Sequence, residues 1–336
     1  MKKEELMKTF AFRSFMILIL SLSALVCFAD QWQDDYDEAD ELYKGGYYED
    51  AMVKAEDLAV FSKNEFGVNS PEMGHAYNIL GLINSKLGNF TQSEENFKKA
   101  ITSFENAGSA EKSNVGILKS NLGDLYYQNF FDEDAQNYLE DAVEILEDLN
   151  GTGNYNSNLE IPYYDLYSIY YNGAYYADAA DAMKKLVELE KKNYGKTDTL
   201  VGVDLRNLGW VYVMWGKYDD AEKYMKEAVE VLEKNGGYKK EQLGLAYNDY
   251  GVLFDYQSEY SKAITYYKKA VEIFKASNND KELGNSYNNI GLAHQKLNEN
   301  ASAVEYYKKA YDLYKSVYGE DDENTQEVKD NLDSVQ

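Results

Sequence analysis

The stretch Leu208 to Ala228, LGWVYVMWGKYDDAEKYMKEA, reads as two helices with a turn between them. Its first half sets Leu208, Gly209 and Tyr212 on one helical face. Gly216 interrupts the helix, Tyr218 and Ala221 open the second, and Met225 and Ala228 continue its face. Gly209 has no side chain and Ala221 only a methyl group, so two backbones can approach closely while Tyr212, Tyr218 and Met225 fill the space on either side. The pattern predicts a helical hairpin with a fixed contact.

The same hairpin recurs along the chain. The small residue of the first helix returns as Ala39, Gly81, Gly123, Gly209, Gly251 and Gly291, with Tyr167 as a departure, at separations of 42, 42, 44, 42, 42 and 40. Twelve residues later stands a second small residue: Ala51, Ser93, Ala135, Ala179, Ala221, Ala263 and Ala303. Seven further on come Leu58, Ala100, Ala142, Leu186, Ala228, Ala270 and Ala310. Three registers that agree over seven copies predict an array of stacked hairpins. With hydrophobic residues at 44% and two prolines in 336 residues, the chain can bury a core and has little to interrupt helices.

On these offsets, and on a Gly-x-Tyr-like turn before the second helix, the chain resembles the tetratricopeptide repeat family. The turn reads GYY from Gly46, GNF from Gly88, GKY from Gly216 and SEY from Ser258; the other three copies depart from it. The resemblance covers about Trp32 to Tyr318. A spacing near 42 residues, with FGVNSPEMGHAYNILG (Phe66 to Gly81) and YGKTDTLVGVDLRNLG (Tyr194 to Gly209), is similar to the kinesin light chain subtype. It implies an all-α fold, a right-handed α-solenoid of about seven hairpins over residues 30–320, closed by a capping helix over 321–336. The proline with which the family ends its second helix is missing throughout, and Gly67, Gly195 and Gly319 read as the replacement stops. Ser70 and Pro71 read as the cap and first position of a helix.

At the N-terminus, Lys2, Lys3, Lys8 and Arg13 precede the apolar run Phe15 to Phe28. The run is short for a spanning helix and reads as a secretory signal over residues 1–29, with Cys27 and Ala29 as the small residues before a cleavage at Asp30. Met7 is an alternative start, and lipidation at Cys27 an alternative fate. The expectation is an exported protein, periplasmic or extracellular. Cys27 is the one cysteine, so no thiol chemistry would remain after cleavage.

Two stretches stand apart within the array. GTGNYNSNLE, Gly151 to Glu160, is turn-rich and reads as an enlarged loop between repeats. The copy after it crowds Tyr163, Tyr164, Tyr167, Tyr170, Tyr171, Tyr175 and Tyr176 together, which reads as an aromatic core or, alternatively, an exposed adhesive face. At the end, Asp322 to Val335 forms one polar amphipathic segment, the solvating cap that an open stack requires.

The net charge of −25 argues against nucleic acid or an anionic membrane surface as partner, since both would be repelled. His75 and His294 are far apart in the array and neither belongs to a metal-binding spacing, so no metal or other cofactor is expected. No serine motif accompanies either histidine, and paired carboxylates such as Asp219 and Asp220 fit polar turns. A non-catalytic role is expected.

Two classes of function remain. In the first, the family resemblance implies a scaffold that holds a peptide or protein partner in a concave groove lined by the first helix of each hairpin. In the second, the chain is a structural or assembly component of the cell envelope that packs on copies of itself or on a membrane protein. For the groove, helix geometry selects the positions three before and one after the small residue. Three before gives Tyr36, Asn78, Ser120, Tyr164, Arg206, Asn248 and Asn288; one after gives Asp40, Leu82, Asp124, Ser168, Trp210, Val252 and Leu292. From these the candidate site is Asn78, Leu82, Tyr164, Arg206, Trp210, Asn248, Val252, Asn288 and Leu292. Asn78, Asn248 and Asn288 resemble the asparagines with which family members hold a peptide backbone, a task suited to a carboxamide that both donates and accepts. The alternative is that these asparagines bridge neighbouring helices.

Overall fold

Apolar residues recurring at helical spacing, with small residues at two fixed points, leave each helix one face to bury, and the only stable solution is another helix against it. The computed structural model describes residues 28–150, 157–234 and 240–335, and apart from turns that range is helical. The expected leader lies outside the described residues except for Phe28 and Ala29, which belong to the first helix, α1, described over residues 28–44. There follow α2 (Tyr48–Glu65), α3 (Pro71–Lys86), α4 (Phe90–Ala107), α5 (Lys112–Gln128), α6 (Asp132–Asn150), α7 (Glu160–Asn172) and α8 (Tyr176–Asn193). The remainder are α9 (Thr199–Met214), α10 (Tyr218–Lys234), α11 (Lys240–Tyr256), α12 (Tyr260–Ser277), α13 (Asp280–Lys296), α14 (Asn300–Tyr318) and α15 (Glu323–Asp333). The result is an all-α solenoid of stacked hairpins with a terminal helix.

The chain forms two compact units, Met1–Pro162 and Tyr163–Gln336. In the first, α3 packs on α4 and α5 on α6 as hairpins, and α2 on α3 and α4 on α5 as neighbours. In the second, each helix from α8 to α15 packs on the next, and α9 also meets α11, and α11 meets α13. First helices therefore lie side by side within each unit, and their outward faces form a continuous stripe.

The hairpin contact depends on missing atoms. A Cβ on Gly209 would stand 2.6 Å from Met225 Cγ, and one on Gly81 the same distance from the Phe97 ring. The second-helix small residues, Ala51, Ser93, Ala135, Ala179, Ala221, Ala263 and Ala303, are all fully buried. Ser93, the exception in type, donates its hydroxyl to the Gly81 carbonyl at 2.8 Å, so its extra polar atom is satisfied across the contact. A second row of glycines, absent from the sequence reading, stands seven residues earlier. Gly74, Gly116, Gly202, Gly244 and Gly284 face Phe104, Leu146, Leu232, Phe274 and Tyr314 of the paired helix, so these hairpins meet closely at two levels.

Helix ends follow local chemistry. Ser70 accepts from the Met73 N–H at 3.1 Å with Pro71 in the first turn, and Asp322 accepts from the Asn324 N–H at the start of α15. Gly67, Gly195 and Gly319 have φ of +96°, +96° and +95°, the left-handed region expected of a glycine stop. Helix α15 buries Thr325, Val328 and Leu332. Of the expected loop Gly151 to Glu160, residues 151–156 lie outside the described residues; Ser157–Leu159 form a single 3-10 turn and Glu160 already opens α7.

The tyrosine-rich copy is not a closed aromatic core. Tyr163 is buried, but Tyr164 and Tyr175 are 46% and 63% exposed and Tyr167, Tyr170, Tyr171 and Tyr176 are half-buried. The rings of Tyr164, Tyr167, Tyr171 and Tyr176 touch in sequence at 5.8–6.0 Å between centroids. The spacings of three and four place the Tyr164, Tyr167 and Tyr171 rings on one face of α7, and Tyr176 at the start of α8 extends the row across the turn.

Candidate functional site

The stripe of the first helices is where half-exposed polar side chains gather. Eight of the nine residues selected from the sequence are half-buried and Tyr164 is exposed. Asn78 and Leu82 belong to the first unit, on α3; the other seven belong to the second.

In the first unit Asn78 Oδ1 accepts from Asn121 Nδ2 of α5 at 3.2 Å. In the second, Asn248 Oδ1 on α11 accepts from Asn289 Nδ2 at 3.3 Å and from the Ser286 hydroxyl at 3.4 Å, both on α13. Both asparagines thus bridge adjacent first helices. Asn288 differs, because its Oδ1 is buried and has no hydrogen-bond partner. An unsatisfied buried carbonyl is costly, and turning the half-buried carboxamide toward the stripe would let a donor brought by a ligand remove that cost.

Arg206 is not a free cation. Its guanidinium lies 3.4 Å from Asp249 and donates to Gln242 Oε1 at 3.2 Å, which ties α9 to α11. Burial pushes the Asp249 carboxyl up to about 6 against the opposing pull of Arg206. Trp210 donates its indole N–H to the Tyr171 hydroxyl at 2.8 Å, so its polar atom is also committed. Behind the stripe, Asp204 is buried and its carboxyl is raised by desolvation, moderated by hydrogen bonds from Glu190 and Asn207.

The position two before the small residue belongs to the stripe as well, and the sequence reading passed over it. Asn121, Asn207, Asp249 and Asn289 occupy it, all half-buried. The signal was present, since three of these four are asparagine in one register. Ser120, by contrast, is buried. Val252 lies one helical turn from Asn248 and Leu292 one turn from Asn288, and Leu292 packs against the core cluster of Ala303, Tyr307 and Leu332.

Among the described residues no group of three or more His, Cys, Asp or Glu side chains could hold a metal ion, and no helix is long and apolar enough to cross a membrane. His294 sits against Tyr306 and pairs its Nδ1 with Glu299 at 2.6 Å, a local contact at the end of α13.

Helical hairpins stacked through two rows of small residues define a class, and comparison with known families gives it a name. A tetratricopeptide repeat model matches residues 72–148, 169–234 and 216–276, more than half of the chain, and a second model of the same description matches 283–324. The chain belongs to the tetratricopeptide repeat family. Comparison with curated proteins finds no match. Among solved structures it is similar to the C-terminal part of a TPR repeat-containing protein from Cytophaga hutchinsonii, at 17% identity and a TM-score of 0.61, covering 88% of this chain and 99% of that one. It is also similar to BtubC (BKLC) from P. vanneervenii, at 17% identity and 0.56, covering 74% and 92%. A third is the signal transduction ATPase with a tetratricopeptide repeat sensor from Pyrococcus horikoshii, at 18% and 0.61, covering 88% of this chain and 42% of the ATPase. At these identities the likeness is one of fold.

Proposed function

We propose that the protein is an exported, non-catalytic scaffold whose first-helix stripe binds an extended segment of a protein or peptide. The observation that carries this reading is the half-buried Asn288 carboxamide, whose oxygen has no hydrogen-bond partner, in a stripe where Asn78, Asn248, Arg206 and Trp210 are already paired. Membership of the repeat family supports it, as does the 42-residue spacing, which favours the kinesin-light-chain-like subtype. Export rests on the basic-then-apolar N-terminus, and intact-mass measurement of native protein tests it: a mass that retains residues 1–29 removes the claim.

Binding is tested by affinity capture from envelope extract with mass-spectrometric identification, followed by titration of the captured partner. Asn288→Ala should weaken that partner by about 1–3 kcal/mol at an unchanged melting temperature, whereas Leu292→Ala also costs stability, because Leu292 packs against the core cluster of Ala303, Tyr307 and Leu332. Asn248→Ala should instead lower stability by about 1 kcal/mol, because it leaves Asn289 without its acceptor, while Ser286 still donates to the Glu282 carbonyl at 2.9 Å. Binding that survives Asn288→Ala overturns the stripe as the site. A concentration-dependent oligomer in light scattering would favour the self-assembling envelope component instead.

A further inference from the structure

All seven hairpin turns have one residue with positive φ, and these are Gly46, Gly88, Phe130, Ala174, Gly216, Ser258 and Asn298. The local hydrogen bonding is shared. The Phe130 N–H donates to Tyr127 O at 3.1 Å and the Phe131 N–H to Tyr126 O at 3.0 Å, as Gly88 does to Ser85 O at 3.1 Å and Asn89 to Asn84 O at 2.8 Å. Only the residue type differs, and phenylalanine at φ +64° is the bulkiest occupant of a corner that glycine, alanine, serine or asparagine fills elsewhere. Nothing inside the protein repays it, since Phe130 is 91% exposed.

Its surroundings are as distinctive. Phe131, 48% exposed, rests on the Phe90 ring at 5.5 Å and the Tyr126 ring at 6.1 Å, giving the corner a firm aromatic base. Directly after it come Asp132, Glu133 and Asp134, all exposed, and none is in a salt bridge among the described residues. Lys98, which lies 5.9 Å from the Tyr126 ring, is held by Glu94 at 2.5 Å. An exposed ring with a negative π face thus stands beside three unneutralised carboxylates.

We propose that this corner of the first unit is a second docking surface, distinct from the first-helix stripe, for a lysine- or arginine-rich segment of a protein partner. One cation lies on the Phe130 ring and others meet Asp132, Glu133 and Asp134. Charge selects the occupant. An anionic membrane or a second copy of this acidic corner would be repelled, and a purely apolar partner would have to desolvate three carboxylates.

The test is fluorescence anisotropy on the full chain with two labelled probes, a short peptide of alternating arginine and glycine and its glutamate counterpart. The arginine probe should bind and the glutamate probe should not. Phe130→Gly should weaken the arginine probe about tenfold while the melting temperature stays level or rises, because glycine suits the corner. Asp132→Asn with Glu133→Gln and Asp134→Asn should weaken it about tenfold as well. The equally neutralised control Glu56→Gln, Asp57→Asn and Glu105→Gln, all exposed in the same unit, should stay within about twofold of the parent. No binding of the arginine probe, full binding by Phe130→Gly, or equal loss in the control overturns the proposal. Phe130-dependent binding to phosphatidylcholine vesicles, or Phe130-dependent self-association in light scattering, overturns the choice of occupant in favour of lipid or a second copy.

Discussion

Hairpins α9/α10 and α7/α8 occupy equivalent places in the repeat and place their aromatic bulk on different helices. In α9/α10 the first helix supplies Gly209 and the second supplies bulk, with Met225 against the glycine and Tyr224 stacked on Tyr212 at 5.4 Å. In α7/α8 the first helix supplies Tyr167, half-buried and in ring contact with Tyr164 and Tyr171, while the second keeps buried Ala179 and Met183 at the places of Ala221 and Met225 and has buried Ala182 where α10 has Tyr224. A large ring has changed helix, while the alanine and methionine of the second helix are kept. A hairpin contact therefore constrains the volume that two facing helices share more strongly than the residue type at one position, as expected of interiors that are close-packed.

The largest effect should come from breaking the glycine contact. Gly209→Leu is expected to destabilise the protein by about 3 kcal/mol, because even its first carbon would collide with Met225 Cγ and lie 3.3 Å from the Met225 backbone nitrogen. Tyr167→Leu should cost about 1 kcal/mol, since that position already accommodates a larger side chain. Urea unfolding measures both. Equal losses would mean that the two hairpins do not differ in the way described.

A middle-sized effect is expected at the carboxyls beside this region, Asp204 on α9 and Asp249 on α11. Burial raises both, Asp249 to about 6. An acid raised by folding is favoured while protonated, so its stabilising contribution is full below the unfolded value of about 3.9. It is lost as pH rises through the folded value, which for Asp249 places the loss between about pH 4 and 6. Asp249→Asn should flatten that slope and raise stability at pH 7 by about 1 kcal/mol, with the Arg206 ion pair offsetting part of the gain. Thermal melts from pH 4 to about pH 7 check the sign, and a parent protein that gains stability as pH rises through this window contradicts it.

The smallest effect should be at the turn that follows α9. Lys217 is exposed and places its Nζ 3.4 Å from the Trp215 ring centroid, so Lys217→Gln should cost about 0.5 kcal/mol. A loss as large as that of Gly209→Leu would show that the turn, not the glycine contact, holds α9 to α10.

The repeat, its three registers and the helical hairpin were legible in the residues, because burial at helical spacing leaves a period that no solvent-exposed pattern would maintain. The stops at Gly67, Gly195 and Gly319 and the cap at Ser70 were legible for the same reason, since each acts within a few residues of chain. The glycines from Gly74 to Gly284 were equally visible but gained meaning only from the paired helix some thirty residues on, where Phe104 or Tyr314 lies against them. The face of the first helices could be selected from one helix alone, yet the partners of its side chains could not. Whether Asn248 faces a ligand or Asn289, whether Arg206 is free or held by Asp249, and whether Asn288 keeps an unused oxygen depend on how far apart neighbouring helices stand and how they are rotated. That spacing is set by the summed packing of side chains distant in sequence, so only the tertiary structure decided it, whereas the period that builds each hairpin is a local property the sequence carries by itself.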